Sequence, residues 1–314
     1  MRTRTSMFRW VAVAAAVMLL LSGCNLQRRG TAPEDPGSSN VGSGVKLPPE
    51  LEEQAQQQEQ QPAQNVTPAP QSRQQQEAAK KSNPVPPPPP PAAFAAEGEA
   101  TGIALARRIL SSSTPKLVFE IAAVEGTGPN AAAVAGFVNY VSSIVQKTEV
   151  EVMPVKSIPR QHEAYDSQKV FEAMGNHRTT NNSDPSVATV WILYVPEFSG
   201  AAGVAWFGAN GVIAMNHSAV NGPGAAAVGG AQRMERAVLT HEFGHVMSLI
   251  NLAYKSPRNH EDPNSKGHSR NRNSVMYYAV EMVNPGNVIQ GGTPLEFDND
   301  DKADLNDVRD GKLG

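Results

Sequence analysis

The chain has 314 residues, of which 40% are hydrophobic and 18% are charged, so it can bury one large core or two small ones. Its formal net charge of -3 argues against nucleic acid as the main partner. The single cysteine excludes a disulfide framework and a multi-thiolate metal site within one chain. No apolar run reaches the roughly 18–20 residues that a transmembrane helix needs.

The first 24 residues have the organisation of an export signal. Three arginines accompany an apolar run at residues 10–21, which is too short for a stable membrane span. The run leads into Leu21-Ser22-Gly23-Cys24, which resembles a bacterial lipobox. The resemblance implies a signal peptide over residues 1–23, acylation of Cys24 and a lipid-anchored place in the bacterial cell envelope, at the outer membrane or cell surface. The alternative is a buried helix with a chance cysteine.

Residues 24–100 have the composition of a tether. Eleven glutamines lie between Gln54 and Gln76, and Pro86–Pro91 is an unbroken proline run. Such a segment has too little apolar surface to offset the entropy of ordering it. We predict a disordered Gln/Pro-rich tether that spaces a domain from a membrane. The alternative is that the proline run binds a proline-recognising module.

A folded domain is predicted over residues 101–314, where strand-like and helix-like patterns alternate. Strands are predicted at residues 116–124, 149–158, 187–195, 203–207 and 211–216. Helices are predicted from a cap at Asn130 to about residue 147, and at residues 165–176, 231–250 and 302–309, the last capped by the acids at 298–301. This order predicts an α/β fold with a mixed sheet.

The long helix carries His241-Glu242-Phe243-Gly244-His245. Residues four apart share one face of a helix, so His241 and His245 can both bind one Zn²⁺ ion. Glu242 is placed to take a proton from a water that the ion acidifies and to pass it to a leaving amine. The alternative is a pair of surface histidines, which the apolar residues around the motif disfavour.

The stretch from His268 to Tyr277 resembles the archaemetzincin ending H-C-x-x-x-x-C-V-M, with serine at both cysteine positions. Its last four residues, Ser274-Val275-Met276-Tyr277, resemble the S-x-M-Y Met-turn of matrixins and astacins. The compact metzincin motif H-E-x-x-H-x-x-G-x-x-H is not met, because Ser248 and Asn251 occupy its glycine and last histidine positions. The segment is therefore similar to a metzincin with an insertion before the third ligand.

The metzincin resemblance implies a fold and a set of site residues. The fold is a metzincin-like mixed twisted sheet with an active-site helix and a C-terminal Met-turn subdomain. His268 is the implied third zinc ligand, Met276 the apolar floor below the metal, and Tyr278 a partner of the oxyanion or of zinc. His260 is the alternative third ligand, or it braces a loop. A strand at 203–206 or 211–214 is the implied edge that pairs with an extended substrate.

These patterns predict a zinc-dependent endopeptidase that acts on a peptide or protein substrate, touches the membrane through lipidated Cys24, binds no nucleic acid and is monomeric. The first alternative is a non-catalytic surface lipoprotein that uses the same fold as a binding module. The second is a zincin of another clan whose last ligand is acidic, either Glu261 or Glu281. The remaining histidines, His162, His177 and His217, are interpreted as loop or surface residues.

Overall fold

A computed structural model of the protein describes residues 44–59, 102–198, 200–208, 211–227, 229–281 and 293–314. The predicted signal peptide, Cys24 and most of the predicted tether lie outside the described residues. In the part of the chain that is described, no helix combines the length and the apolar character that crossing a bilayer requires.

The centre of the fold is a seven-stranded sheet in which only the last edge strand is antiparallel. Along the sheet the order is β1-β3-β2-β5-β7-β6, and β4 pairs with β2 beyond the end of β3. The strands are β1 (Val45–Lys46), β2 (Lys116–Val124), β3 (Glu149–Val152), β4 (Lys156–Ile158), β5 (Val187–Val195), β6 (Gly203–Trp206) and β7 (Val212–Asn216). The protein is thus a mixed α/β protein with a mainly parallel central sheet.

Eight α-helices accompany the sheet within the described ranges. They are α1 (Pro49–Glu59), α2 (Gly102–Leu110), α3 (Ala131–Ile144), α4 (Ser167–His177), α5 (His217–Val220), α6 (Pro223–Ala227), α7 (Ala231–Val246) and α8 (Asn299–Arg309). The two longest strands, β2 and β5, are buried along almost their whole length, as their near-continuous apolar runs predict.

Three phenylalanines lock the motif-bearing helix α7 to the sheet. Phe119 of β2, Phe137 of α3 and Phe243 of α7 meet edge to face, with ring centroids 5.1–5.6 Å apart. All three side chains are almost fully buried. Because Phe243 lies inside the histidine motif, its packing turns the two flanking histidines to a fixed side of the helix.

Two predicted elements differ from the structure at identifiable residues. The single strand predicted at 149–158 is two strands, β3 and β4, separated around Pro154, which has no N–H to donate to a ladder. The helix predicted to reach residue 250 ends at Val246, because Ser248 turns into the left-handed region with φ 64°. The caps predicted at Asn130 and in the acids before α8 are confirmed: the Asn130 and Asp298 side chains accept hydrogen bonds from the first turns of α3 and α8.

Residues 44–59, which composition assigns to the tether, are folded against the domain. Val45 and Lys46 extend the sheet by pairing in parallel with β3. Leu51 and Ala55 follow Leu47 at four-residue intervals, and all three are buried in the main core. The glutamines and glutamates between them are mostly exposed. The average composition of the segment hides this apolar stripe, which is enough to dock a helix.

We expect Leu51→Ala to lower the free energy of unfolding by about 2–5 kcal/mol, because Leu51 is only 3% exposed. Glu52→Ala, at an exposed position on the same helix, is the control and should change it by less than about 0.5 kcal/mol. Urea unfolding followed by circular dichroism measures both. Equal, small effects of the two substitutions would contradict a docked α1.

Candidate metal site

Helix α7 brings two imidazoles of the motif together. His241 and His245 lie one turn apart, and their Nε2 atoms are 3.0 Å from each other. His241 is fully buried and His245 is 8% exposed. The helix continues past the pair only to Val246, so both histidines lie in its last two turns.

The end of α7 is a tight left-handed turn of the kind that glycine usually makes. Ser248 adopts φ 64° there, at the position where metzincins have glycine. Its N–H donates to the carbonyl of His245 at 2.8 Å, and the N–H of Leu249 donates to the carbonyl of Gly244 at 3.0 Å. These two bonds are those of a Schellman motif. The sharp exit therefore forms without glycine, at the cost of some backbone strain.

A short hairpin returns the chain to the helix pair. Strands β8 (Glu261–Asp262) and β9 (Ser265–Ser269) pair antiparallel around a turn in which the Asn264 N–H donates to the Asp262 carboxylate. The hairpin is held to the helix exit by Asn251, whose side-chain amide donates to Glu261 Oε2 at 3.1 Å.

Strand β9 places His268 against both helix histidines. Its ring stacks on that of His241 with centroids 5.2 Å apart and lies edge-on to that of His245 at 5.1 Å. The three histidines that the sequence analysis names as ligands are therefore neighbours in the structure, although His268 lies 23 residues beyond His245.

Main-chain carbonyls fix which nitrogen of two rings carries a proton. His241 Nδ1 lies 2.7 Å from the Val275 carbonyl, and His268 Nδ1 lies 3.1 Å from the Lys266 carbonyl. A carbonyl only accepts, so each Nδ1 carries the hydrogen in the neutral ring and each Nε2 keeps its lone pair. Both lone pairs are then available to a cation.

Glu281 completes the cluster. Its Oε1 lies 3.1 Å from His268 Nε2 and its Oε2 lies 3.6 Å from His241 Nε2. One potential ligand atom from each of His241, His245, His268 and Glu281 lies within 4.8 Å of all the others. Burial raises the pKa of the Glu281 carboxyl, but the facing His268 and His241 rings outweigh it and hold that pKa well below its usual range.

The spacing of these atoms fits one metal ion. Ligand atoms about 2.0–2.1 Å from a tetrahedral ion lie about 3.3 Å from one another, and the described separations are 3.0, 3.1 and 3.6 Å. Imidazole lone pairs and a carboxylate that converge in a buried place repel one another unless a proton or a metal cation lies between them. The buried group could therefore hold a metal ion, and three nitrogens with one oxygen suit Zn²⁺ and several other first-row ions.

Glu242 is fully buried beside the cluster and has no hydrogen-bond partner for either carboxylate oxygen among the described residues. Burial, and then the charge of Glu281, raise the pKa of Glu242 well above its usual value. Strand β6 packs directly against the Glu242 side chain. A Cβ atom on Gly203 would lie 2.8 Å from Glu242 Oε1 and 2.6 Å from Val238. Only glycine lets the edge strand approach the helix this closely.

Met276 packs against α7, and its implied place as the apolar floor below the metal stays a prediction. It is fully buried, and its thioether faces Gly244, the residue just before His245. The turn is shaped by Ser274, whose hydroxyl accepts the Met276 N–H at 2.9 Å and donates to Asp301. Ser274, at the position where the archaemetzincin ending has cysteine, therefore supports the turn itself.

Tyr278 begins a 3₁₀ turn, Tyr278–Val280, directly after the Met-turn. Its described ring contact is with Tyr277, at a centroid distance of 4.7 Å. Burial and the neighbouring Tyr277 raise the pKa of Tyr278 to about 12. The predicted part of Tyr278 in the chemistry stays a prediction.

His260, the alternative third ligand, lies in a different cluster. Its Nδ1 is 3.2 Å from Asp301 and its Nε2 is 3.0 Å from Asp304 on α8. Burial lowers the pKa of His260, but the two aspartates raise it to about 10. His260, Asp298 and Asp301 are also close enough to one another for a metal ion. Asp298 and Asp301 are, however, already joined in the capping box of α8, so this cluster braces the loop against the helix.

Comparison of the chain with protein-family models and with curated proteins gives no match. The metzincin resemblance therefore depends on the motif residues alone. Geometry adds a buried group that could bind a metal, but it does not identify the ion.

Sequence reasoning did not find the buried carboxyl of Glu235, which lies on the same helix as the motif. It accepts hydrogen bonds from the Tyr194 hydroxyl and the Asn130 N–H, both at 2.8 Å. Burial is the main cause that raises the pKa of Glu235 to about 8. Its partners come from β5 and from the cap of α3, and no local pattern in the sequence links them to α7.

Glu235 should make the protein less stable as pH rises. The folded pKa of about 8 exceeds the ordinary value of 4.5, so the stabilising effect of the proton is complete below pH 4.5 and is lost as pH rises to about 8. We expect Glu235→Gln to flatten the fall in the free energy of unfolding between these pH values, measured with EDTA present. Glu172→Gln, at an exposed position on α4, should keep the wild-type slope. Identical slopes in all three proteins would contradict a protonated Glu235.

Gly244→Ala tests the close packing of Met276 against the motif. A Cβ at residue 244 would lie well under 3.0 Å from the Met276 sulfur and 2.9 Å from Phe297. We expect a loss of about 1–3 kcal/mol in unfolding free energy, together with weaker metal binding. Gly175→Ala is the control, because a Cβ there meets nothing within 4 Å and should stabilise α4 by about 0.5–1 kcal/mol. A Gly244→Ala protein as stable as the control would show that Met276 does not pack here.

Proposed function

We propose that this protein is a zinc-dependent endopeptidase with a metzincin-like site. The observation that carries the proposal is the convergence of His241, His245 and His268 beside the unpaired carboxylate of Glu242. A binding module that used the fold only for its surface would have no need of a buried general base next to three imidazoles.

His241, His245 and His268 would hold the ion through their Nε2 atoms. A bound Zn²⁺ ion supplies Lewis acidity, which acidifies a water molecule and polarises the carbonyl of the bond to be cleaved. Glu242 accepts the proton that the attacking water loses as its oxygen bonds to the carbonyl carbon. Glu242 then gives this proton to the amine nitrogen as the C–N bond breaks.

Strand β6 supports a peptide as the substrate class. It is the antiparallel edge of the sheet, and Gly203 brings it against Glu242. An extended peptide that paired with this edge would run beside the general base. Because main-chain pairing depends little on side chains, the sheet edge favours peptides without choosing among their sequences.

The proposed location follows from residues 1–24 alone. The lipobox-like segment places the enzyme in the bacterial envelope, anchored through acylated Cys24 and acting as a monomer on peptides or proteins outside the cytoplasmic membrane. The acidic net charge agrees with the prediction that nucleic acid is not a partner.

Metal content and peptide cleavage together test the function. We expect the purified protein to carry about one equivalent of zinc and to lose cleavage with EDTA. Glu242→Gln should keep the metal but lose about 10²–10⁴-fold in rate, the range for a general base. Glu172→Gln is the matched control and should cleave like wild type.

The third ligand is tested by two histidine variants. His268→Ala should lose zinc, whereas His260→Ala should keep it, since His260 is paired with aspartates instead. A protein without zinc, or cleavage that is unchanged in Glu242→Gln, would defeat the peptidase proposal.

A further inference from the structure

We propose that Glu281 is a fourth protein ligand of the metal, so that the resting site is closed, and that substrate binds by displacing this carboxylate. The coordination part depends only on the metal site. The displacement part rests on the proposed peptidase function.

The first observation is the direction of the Glu281 side chain. Its two oxygens face two different ligand imidazoles, Oε1 towards His268 and Oε2 towards His241, at 3.1 and 3.6 Å. Both distances are close to the separation of about 3.3 Å between ligand atoms around one tetrahedral ion. Glu281 is therefore positioned as a metal ligand in the same way as the three histidines.

The second observation is the place of the Glu281 backbone. Its carbonyl accepts a hydrogen bond from the N–H of Ala202 at 2.7 Å. Ala202 is the residue immediately before β6, the edge strand proposed to pair with substrate. The backbone of Glu281 thus bonds to the residue beside the edge strand, and its side chain reaches the metal ligands. A peptide bound along this edge would make the same two kinds of contact.

The third observation is the short connection that positions Glu281. The 3₁₀ turn Tyr278–Val280 links it to the Met-turn, and the Val280 N–H donates to the Tyr277 carbonyl at 3.0 Å. Since Met276 packs against Gly244 of α7, this short connection begins beside the motif helix and ends at the cluster.

A closed site has a direct chemical consequence. Zinc with four protein ligands is typical of structural sites, whereas catalysis needs a position open to water or substrate. The Glu281 side chain is more exposed than those of two of the histidines, at 12% against 0% for His241 and 8% for His268. It is therefore a ligand that an incoming carbonyl can reach and replace.

Cobalt-substituted protein tests the coordination without any substrate. With Glu281 bound, we expect the visible spectrum of the Co²⁺ protein to stay constant between about pH 6 and pH 9 and to resist azide. In Glu281→Gln an open position should make the spectrum respond to azide and to pH, because a water on the metal titrates near pH 7. Zinc affinity, measured by chelator competition, should fall by about 10–100-fold.

Glu296→Gln is the matched control, because it removes the same charge from a half-exposed carboxylate that pairs with Lys302. It should behave like wild type. Glu281→Asp keeps the charge but shortens the side chain. It therefore separates the loss of a ligand from a folding defect in the glutamine variant. Wild-type Co²⁺ protein that binds azide as readily as Glu281→Gln would overturn the fourth-ligand assignment.

Peptide cleavage tests the displacement separately. We expect kcat/KM to rise in Glu281→Gln at saturating zinc, by about tenfold if the wild-type site is open a tenth of the time. Lower kcat/KM in a fully loaded variant would overturn the displacement step. If no variant cleaves peptides while the cobalt spectra differ as expected, the peptidase proposal fails and the fourth ligand stands.

Discussion

The site depends on the close approach of imidazole and carboxylate groups whose lone pairs face one another. One potential ligand atom from each of three buried imidazoles and a carboxylate lies within 4.8 Å of all the others, an arrangement that is unfavourable in an apolar interior unless a proton or a metal cation lies between them. The donors are held there by three pieces of the chain: the end of α7, which carries two of them, strand β9, and the segment from Val275 to Glu281. The hydrogen bond from His241 to the Val275 carbonyl joins the first and third of these pieces directly.

Much of the scaffold was predictable because its signals are local. Strands β2 and β5 have the bounds that their apolar runs indicate, and the two histidines of α7 share a face because of helical spacing. His268 was predicted from the motif residues around Met276, and the structure brings its ring next to those of His241 and His245. Its 23-residue separation from His245 shows why spacing alone left His260 as a rival.

What the sequence did not predict depends on contacts between distant segments. The sequence offered Glu281 only as an alternative acidic ligand beside Glu261, and the backbone hydrogen bond that ties it to Ala202, 79 residues earlier, has no local signal. Burial raises the pKa of Glu235, while its hydrogen-bond partners on β5 and before α3 lower it, and neither the burial nor the partners are visible in the local sequence. Residues 44–59 were misjudged for another reason: average composition does not register three apolar side chains at four-residue intervals. Ser248 is a fourth case that the sequence did not predict. It forms a left-handed turn at a position where glycine would have indicated one.

The docked α1 changes the geometry of attachment. Glu59 and Gly102, which flank the glutamine- and proline-rich stretch, both belong to elements of the folded domain, so the length of that stretch does not set the distance between the domain and an N-terminal anchor. For an anchor at Cys24, only the 20 residue steps to Gly44 span that gap, which limits the reach to about 70 Å. If a protease cut the intervening stretch, residues 44–59 would stay joined to the domain by noncovalent contacts, among them the burial of Leu47, Leu51 and Ala55, the pairing of β1 with β3, and the ion pair between Lys46 and Glu149.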